Sequence, residues 1–252
     1  MSIINTENLG IDFGGLTAVN NFNFEINEHE IVGLIGPNGA GKTTVFNMLT
    51  KVYEPSRGKI YLDGKDTAKM STIEVNKNGI ARTFQNIRLF SNISVLDNVK
   101  VAMNNLHEYS LFDSLFRTKR FKDAEKTIEE KSLELLKIFA LDEFKDIKAS
   151  SLPYGAQRRL EIARALATDP KVLLLDEPAA GMNPQETEDL MNTIKLVRDK
   201  FNICVLLIEH DMNLVMNICE RIYVLNYGTL LAKGSPEEIK NNPDVIKAYL
   251  GD

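Results

Sequence analysis

The run Gly36-Pro37-Asn38-Gly39-Ala40-Gly41-Lys42-Thr43 constrains this chain more than any other feature. Its spacing, Gly-x-x-x-x-Gly-Lys-Thr, is that of a phosphate-cradling loop, which needs a buried strand before it and a helix after it. Both are legible: Glu30 to Ile35 reads as a short apolar strand and Thr44 to Leu49 as a helix. Glycines let backbone N–H groups point at phosphates with no Cβ in the way. The helix N-terminus adds partial positive charge. In this frame Lys42 reaches the β- and γ-phosphates and the Thr43 hydroxyl ligates Mg²⁺.

Val172-Leu173-Leu174-Leu175-Asp176-Glu177 carries the second nucleotide signal. Four apolar residues make a buried strand, and two acids stand at its C-terminal end, where open α/β sheets bind ligands. Asp176 is placed to hold Mg²⁺ through its water shell. Glu177 is placed to orient and deprotonate water attacking the γ-phosphate.

Composition narrows the setting. Net charge is −5 over 252 residues, which weighs against non-specific nucleic-acid binding. No apolar run approaches the roughly 20 residues of a membrane span. Met1 to Asn5 lacks the features of a signal peptide. A cytosolic chain whose membrane role is peripheral is expected. Cys204 and Cys219 do not make a disulfide framework, and Cys204 reads as a small buried hydrophobe. His29, His107 and His210 show no metal-ligand spacing.

Along the chain, residues 1 to about 35 read as strands, with Phe22, Phe24 and Ile26 alternating against Asn21, Asn23 and Glu25. Lys59 to Gly64 and Gly79 to Phe84 read as further strands. Val95 to Phe139 reads as helical, with the basic cluster Arg117-Thr118-Lys119-Arg120 as a solvated helix junction or an anionic-lipid contact. A helix is expected from Ala156 to Ala167, and strands at Lys171 to Leu175, Cys204 to Ile208 and Arg221 to Leu225. Asn183-Pro184 starts a helix, and Ser235-Pro236-Glu237-Glu238 fits a capping box for a C-terminal helix. The expected fold is α/β: a mostly parallel core sheet, an N-terminal antiparallel part and an inserted helical subdomain. The expected division is 1–90, 91–155 and 156–252.

The order phosphate loop, Thr83-Phe84-Gln85, Leu152-Pro153-Tyr154-Gly155-Ala156-Gln157, Leu175-Asp176-Glu177-Pro178 and Glu209-His210-Asp211 resembles an ABC-type ATPase subunit over essentially the whole chain. Phe13-Gly14-Gly15-Leu16, Ala81 to Phe90, Gly155 to Ala167 and Ala248-Tyr249-Leu250-Gly251 are similar to the branched-chain amino acid importer branch.

The resemblance implies a set of roles. Phe13 would stack on adenine. Val19 would join the nucleotide contacts made by Gly36, Pro37, Asn38, Gly39, Ala40, Gly41, Lys42, Thr43 and Thr44. Gln85 would touch Mg²⁺ or the attacking water, at the hinge to the helical subdomain. His210 would bond the γ-phosphate and hold Glu177, so that Glu177, His210, Gln85 and Lys42 form the catalytic set. Thr43, Gln85 and Asp176 would hold the metal. The family's signature, Leu-Ser-Gly-Gly-Gln, binds the γ-phosphate held by the opposite subunit. Here Pro153, Tyr154 and Ala156 depart from it, and Gly155 alone matches within its core. Ala179 to Asn183 would cross the dimer interface.

The implied protein is an ATP- and Mg²⁺-dependent ATPase of a branched-chain amino acid importer, peripheral to the cytoplasmic face of the membrane. Its partners would be integral membrane permease subunits, received near Arg88, Leu89, Phe90, Val95 and Leu96, a second ATPase subunit of the same or another kind, and indirectly a substrate-binding protein, with no nucleic acid. The alternatives are a transporter with another cargo, such as lipid, or a soluble ribosome- or nucleic-acid-associated ABC ATPase.

Overall fold

The computed structural model describes residues 2–103 and 111–250. The chain divides into two units. The first comprises residues 1–85 and 171–252, the second residues 86–170.

The first unit holds two sheets. β1 (Ser2–Phe13), β2 (Leu16–Asn27), β4 (Arg57–Leu62) and β5 (Lys65–Asp66) form an antiparallel sheet in the order β2-β1-β4-β5. The second sheet is built from β3 (Ile31–Ile35), β6 (Ile80–Arg82), β7 (Val172–Asp176), β8 (Cys204–Ile208), β9 (Arg221–Asn226) and β10 (Thr229–Gly234). Its order is β10-β9-β3-β8-β7-β6, parallel except for the edge strand β10. Every residue of β3, β7 and β8 is buried, so these strands are apolar throughout instead of alternating. β2 alternates as expected, with Phe22, Phe24 and Ile26 buried.

Between strands run α1 (Lys42–Leu49) and α2 (Thr72–Lys77). Phe46 and Met48 of α1 are fully buried in one cluster with Phe22, Phe24 and Leu206. That cluster fixes α1, and therefore the loop that opens it. Each such side chain contributes about 1.5–3 kcal/mol. α7 (Pro184–Phe201) begins with Asn183 and Glu186 in a capping box, and α8 (Met212–Ile218) is capped by Asp211. The segment after the expected capping box forms two helices, α9 (Pro236–Lys240) and α10 (Pro243–Leu250). Pro243 cannot continue α9 and suits the first position of α10. Ser235 and Glu238 form the expected capping box.

The second unit contains α3 (Val95–Met103), α4 (Leu111–Leu115), α5 (Lys119–Ile138) and α6 (Tyr154–Leu166). The helical tract expected from 95 to 139 is interrupted where Arg117 takes φ 46°. α6 starts at Tyr154, two residues before the expected start, because Pro153 serves as its N-cap. The division also differs from the expected one: α6 falls in the helical unit instead of the ATPase core. It packs on α3 and α5 and buries Leu160, Ile162 and Ala163. Val95 is fully buried, whereas Phe90 is 53% exposed, with the Arg164 guanidinium over its ring. His107 and Gly251 lie outside the described residues.

Candidate functional site

The loop between β3 and α1 turns through Gly36, Gly39 and Gly41, whose φ angles are 151°, 78° and 103°. Two of the three have no room for a side chain. A Cβ on Gly36 would lie 2.1 Å from Leu225 O, and one on Gly41 would lie 2.8 Å from Ala18 O. Lys42 folds back over the loop and donates to Gly36 O at 2.7 Å and Pro37 O at 3.0 Å. Burial pushes the Lys42 ammonium below the usual lysine range, and the charges of Glu177 and Asp176 act the other way.

A cavity of about 430 Å³ opens over this loop. Its lining includes Asn38 to Thr44, Glu177 and His210. Leu16, Thr17, Ala18, Tyr227 and Gly228 complete it; sequence reasoning gave none of these five a role. Tyr227 and Gly228 form the β9–β10 turn, both at positive φ. Gly228 N donates to Ala40 O at 3.0 Å, and Gly228 O accepts from Asn20 N at 2.8 Å. The turn is thereby tied to the phosphate loop and to β2. Gly228, shortly after the strand expected at Arg221 to Leu225, was the available signal. Tyr249 was also missed: burial pushes its phenol above the usual tyrosine range, and the Gly36 backbone acts the other way.

Glu177 follows β7 in the left-handed conformation, at φ 47°, a backbone strain of about 1–2 kcal/mol. Its N–H donates to Ile208 O at 2.9 Å, which holds the turn. The side chain is gripped from both sides. Gln85 Nε2 donates to Oε2 at 2.6 Å, and His210 Nε2 lies 2.7 Å from Oε1. His210 in turn is placed by Glu209, whose buried carboxylate accepts from His210 N, Asp211 N and Ala179 N at 2.9, 3.3 and 2.7 Å. Burial pushes Glu209 above the usual carboxylate range, opposed by these three N–H donors.

Asp176 is paired with Arg82 at 2.8 Å, the two side chains 6% and 7% exposed. Arg82 also donates to Asn47 Oδ1 at 2.7 Å and lies over the rings of Phe46 and Phe84. One carboxylate oxygen, Oδ2, is thus held by protein.

The expected site residues are placed as follows. Asn38 through Thr44 surround the cavity with Glu177 and His210; Gly36 and Pro37 do not line it. Phe13 is 43% exposed and packs edge-on against Tyr53, at 5.3 Å between ring centroids. It is paired in register with Leu16, which does line the cavity. Val19 is a correction: it is completely buried in the core. Its Cγ2 would stand 3.2 Å from a Cβ on Gly41, so it backs the loop and presents no surface to a ligand. Gly155 is buried near the start of α6, in the second unit.

The residues present fit a nucleoside triphosphate: a glycine-rich loop lining the cavity, a helix N-terminus, a lysine and an oriented carboxylate. Comparison with known proteins agrees. The ABC transporter family model matches residues 19–180, and the branched-chain amino acid ATP-binding cassette transporter model matches residues 229–252. The chain is 48% identical to the high-affinity branched-chain amino acid transport ATP-binding protein BraF of Pseudomonas aeruginosa, over 99% of this chain and 98% of that one. The ADP conformation of the ATP-binding cassette MJ1267 matches all of both chains at TM-score 0.86 and 32% identity. The cassette MJ0796, in a dimeric post-hydrolysis state bound to ADP and Pi, matches 92% of this chain and 98% of that one at TM-score 0.77 and 26% identity. The chain therefore belongs to the ABC transporter family of ATP-binding cassette ATPases, in its branched-chain amino acid branch.

Proposed function

We propose that this chain is the ATP-hydrolysing subunit that powers import of branched-chain or related amino acids through a separate membrane permease. The observation that carries the reading is the Glu177 carboxylate, held between Gln85 and His210 at the wall of the phosphate-loop cavity. A carboxylate fixed at both oxygens is oriented to take the proton of a water attacking the γ-phosphate. Lys42 and the loop N–H groups stabilise the charge that develops on the transferred phosphoryl.

Mg²⁺ fits the same frame. This ion is usually held by one or two protein groups together with substrate phosphates. The Thr43 hydroxyl lines the cavity. Among the described residues, Asp176 Oδ1 takes no protein hydrogen bond, while Arg82 occupies Oδ2. When bound, the metal would neutralise β- and γ-phosphate charge.

The chain works as a head-to-tail dimer in this reading, each α6 N-terminus meeting the phosphates held by the partner. The support is local. Pro153 gives α6 no side-chain cap, so the helix start keeps its capacity for an anion. The missing signature serine removes one donor, worth about 1.5–3 kcal/mol to a charged group. No helix among the described residues is long and apolar enough to cross a membrane; in this reading a separate permease spans the bilayer and the ATPase is peripheral to it.

The test is reconstitution of the chain with its permease and binding protein in liposomes. Leucine uptake is expected with ATP inside the ATPase compartment and lost with Lys42→Ala. Uptake that ignores Lys42→Ala, or ATP turnover indifferent to leucine-loaded binding protein, would refute the transport role.

A further inference from the structure

The second unit carries a surface that nucleotide chemistry does not use. Phe112 and Leu115 of α4, with Phe116 directly after it, stand at i, i+3 and i+4, the spacing of one helix face. Such a stripe ordinarily faces a core. Here the three residues are 64%, 78% and 62% exposed. The two phenylalanine rings lie 4.4 Å apart between centroids, so the stripe is one continuous patch.

The patch is held in shape by the turn that follows. Phe116 N donates to Phe112 O at 3.0 Å, and Thr118 N to Asp113 O at 3.1 Å. The Thr118 hydroxyl donates to Asp113 Oδ1 at 2.8 Å and also caps α5. Arg117, in the left-handed conformation, turns the chain directly from the patch into α5.

A second observation concerns charge. The start of α5 carries Lys119, Arg120 and Lys122, all exposed, and no acidic residue in its first turn. Cations at a helix N-terminus oppose the macrodipole, and the chain as a whole is acidic, at net −5. This local excess of positive charge therefore works against helix stability and against the average of the molecule. Exposed apolar side chains flanked by cations are the chemistry of an interfacial anionic-lipid contact.

We propose that α4 and the start of α5 form a docking surface for an anionic lipid bilayer. Phe112, Leu115 and Phe116 enter the headgroup boundary, and the cations after them meet lipid phosphates. The inference does not rest on the transport reading, because vesicle binding is read without ATP turnover.

The chain has no tryptophan, so Phe116→Trp supplies a single reporter. Its emission is measured with phosphatidylcholine vesicles and with vesicles containing about one-third phosphatidylglycerol. A blue shift with the anionic vesicles and none with pure phosphatidylcholine is expected. The apparent affinity should fall at least about tenfold when Lys119→Glu and Arg120→Glu are added, and likewise in high salt. Leu115→Asp, in the same reporter background, should abolish the shift while circular dichroism and ATP turnover stay unchanged. No shift with anionic vesicles, or a shift indifferent to charge and to Leu115→Asp, overturns the proposal. So does a patch whose variants lose only permease association in lipid-free detergent, since that would make it a protein-docking site.

Discussion

His210 Nε2 lies 2.7 Å from Glu177 Oε1. The contact joins the end of β8 to the end of β7, and Gln85 takes the other oxygen of the same carboxylate from the end of β6. Three adjacent parallel strands therefore deliver one oriented base to the phosphate loop that follows β3.

Because His210 acts through Glu177, its loss should lower kcat more than it raises KM. His210→Ala is expected to reduce kcat for ATP by about 10²–10³-fold, the usual range for a disturbed general base. KM should move only a few-fold, and His210→Gln, which retains a donor, should recover part of the loss. Steady-state ATPase kinetics checks this. A rise in KM with kcat unchanged would assign His210 to substrate binding alone.

The Arg82–Asp176 pair predicts a stability effect. Removing one partner leaves the other charge buried, at a cost of about 3–5 kcal/mol. Arg82→Ala should accordingly lower the melting temperature by about 10 °C. Arg82→Lys keeps the charge but loses the planar fork that also reaches Asn47, and should fall between. Thermal melts followed by circular dichroism decide it. A melting temperature unchanged in Arg82→Ala would contradict the buried-pair reading.

The cysteines give a pH-dependent outcome. Burial pushes Cys204 up to about 11 and raises Cys219 as well. A raised thiol pKa means less thiolate at a given pH than in the unfolded chain. At pH 8 only about 0.1% of Cys204 would be thiolate, and the thiolate is the nucleophile. Thiol titration at pH 8 should find both groups unreactive in the native protein and both reactive in denaturant. Fast labelling of the native protein would contradict their burial.

Much of this site was legible because its signals are local. The phosphate loop fixed its own strand and helix, and the apolar runs at Val172 and Cys204 could only be buried strands. Asn183-Pro184 and Ser235-Pro236 announced helix starts through cap chemistry that the structure reproduces. What was missed depends on contacts distant in sequence. Arg82 meets Asp176 across 94 residues, and nothing near Arg82 marks its partner. Val19 alternates correctly as a strand residue, yet only the approach of Gly41 shows that its side chain backs the loop. β10 escaped notice because it is an edge strand with no buried residue, and its apolar run, Leu230 to Ala232, is short. The helix junction expected at Arg117 to Arg120 is where the structure turns from α4 into α5, with Thr118 bonded to Asp113 on one side and to Phe121 on the other.

The central claim is that Glu177 is the base for ATP hydrolysis. Its most direct test is single-turnover hydrolysis by the purified chain and by Glu177→Gln, with particle mass followed in ATP and Mg²⁺. The account predicts that Glu177→Gln binds ATP with affinity within a few-fold of wild type and accumulates as an ATP-bound dimer. Its hydrolysis should be slower by about 10²–10⁴-fold. Hydrolysis by Glu177→Gln at the wild-type rate would contradict it.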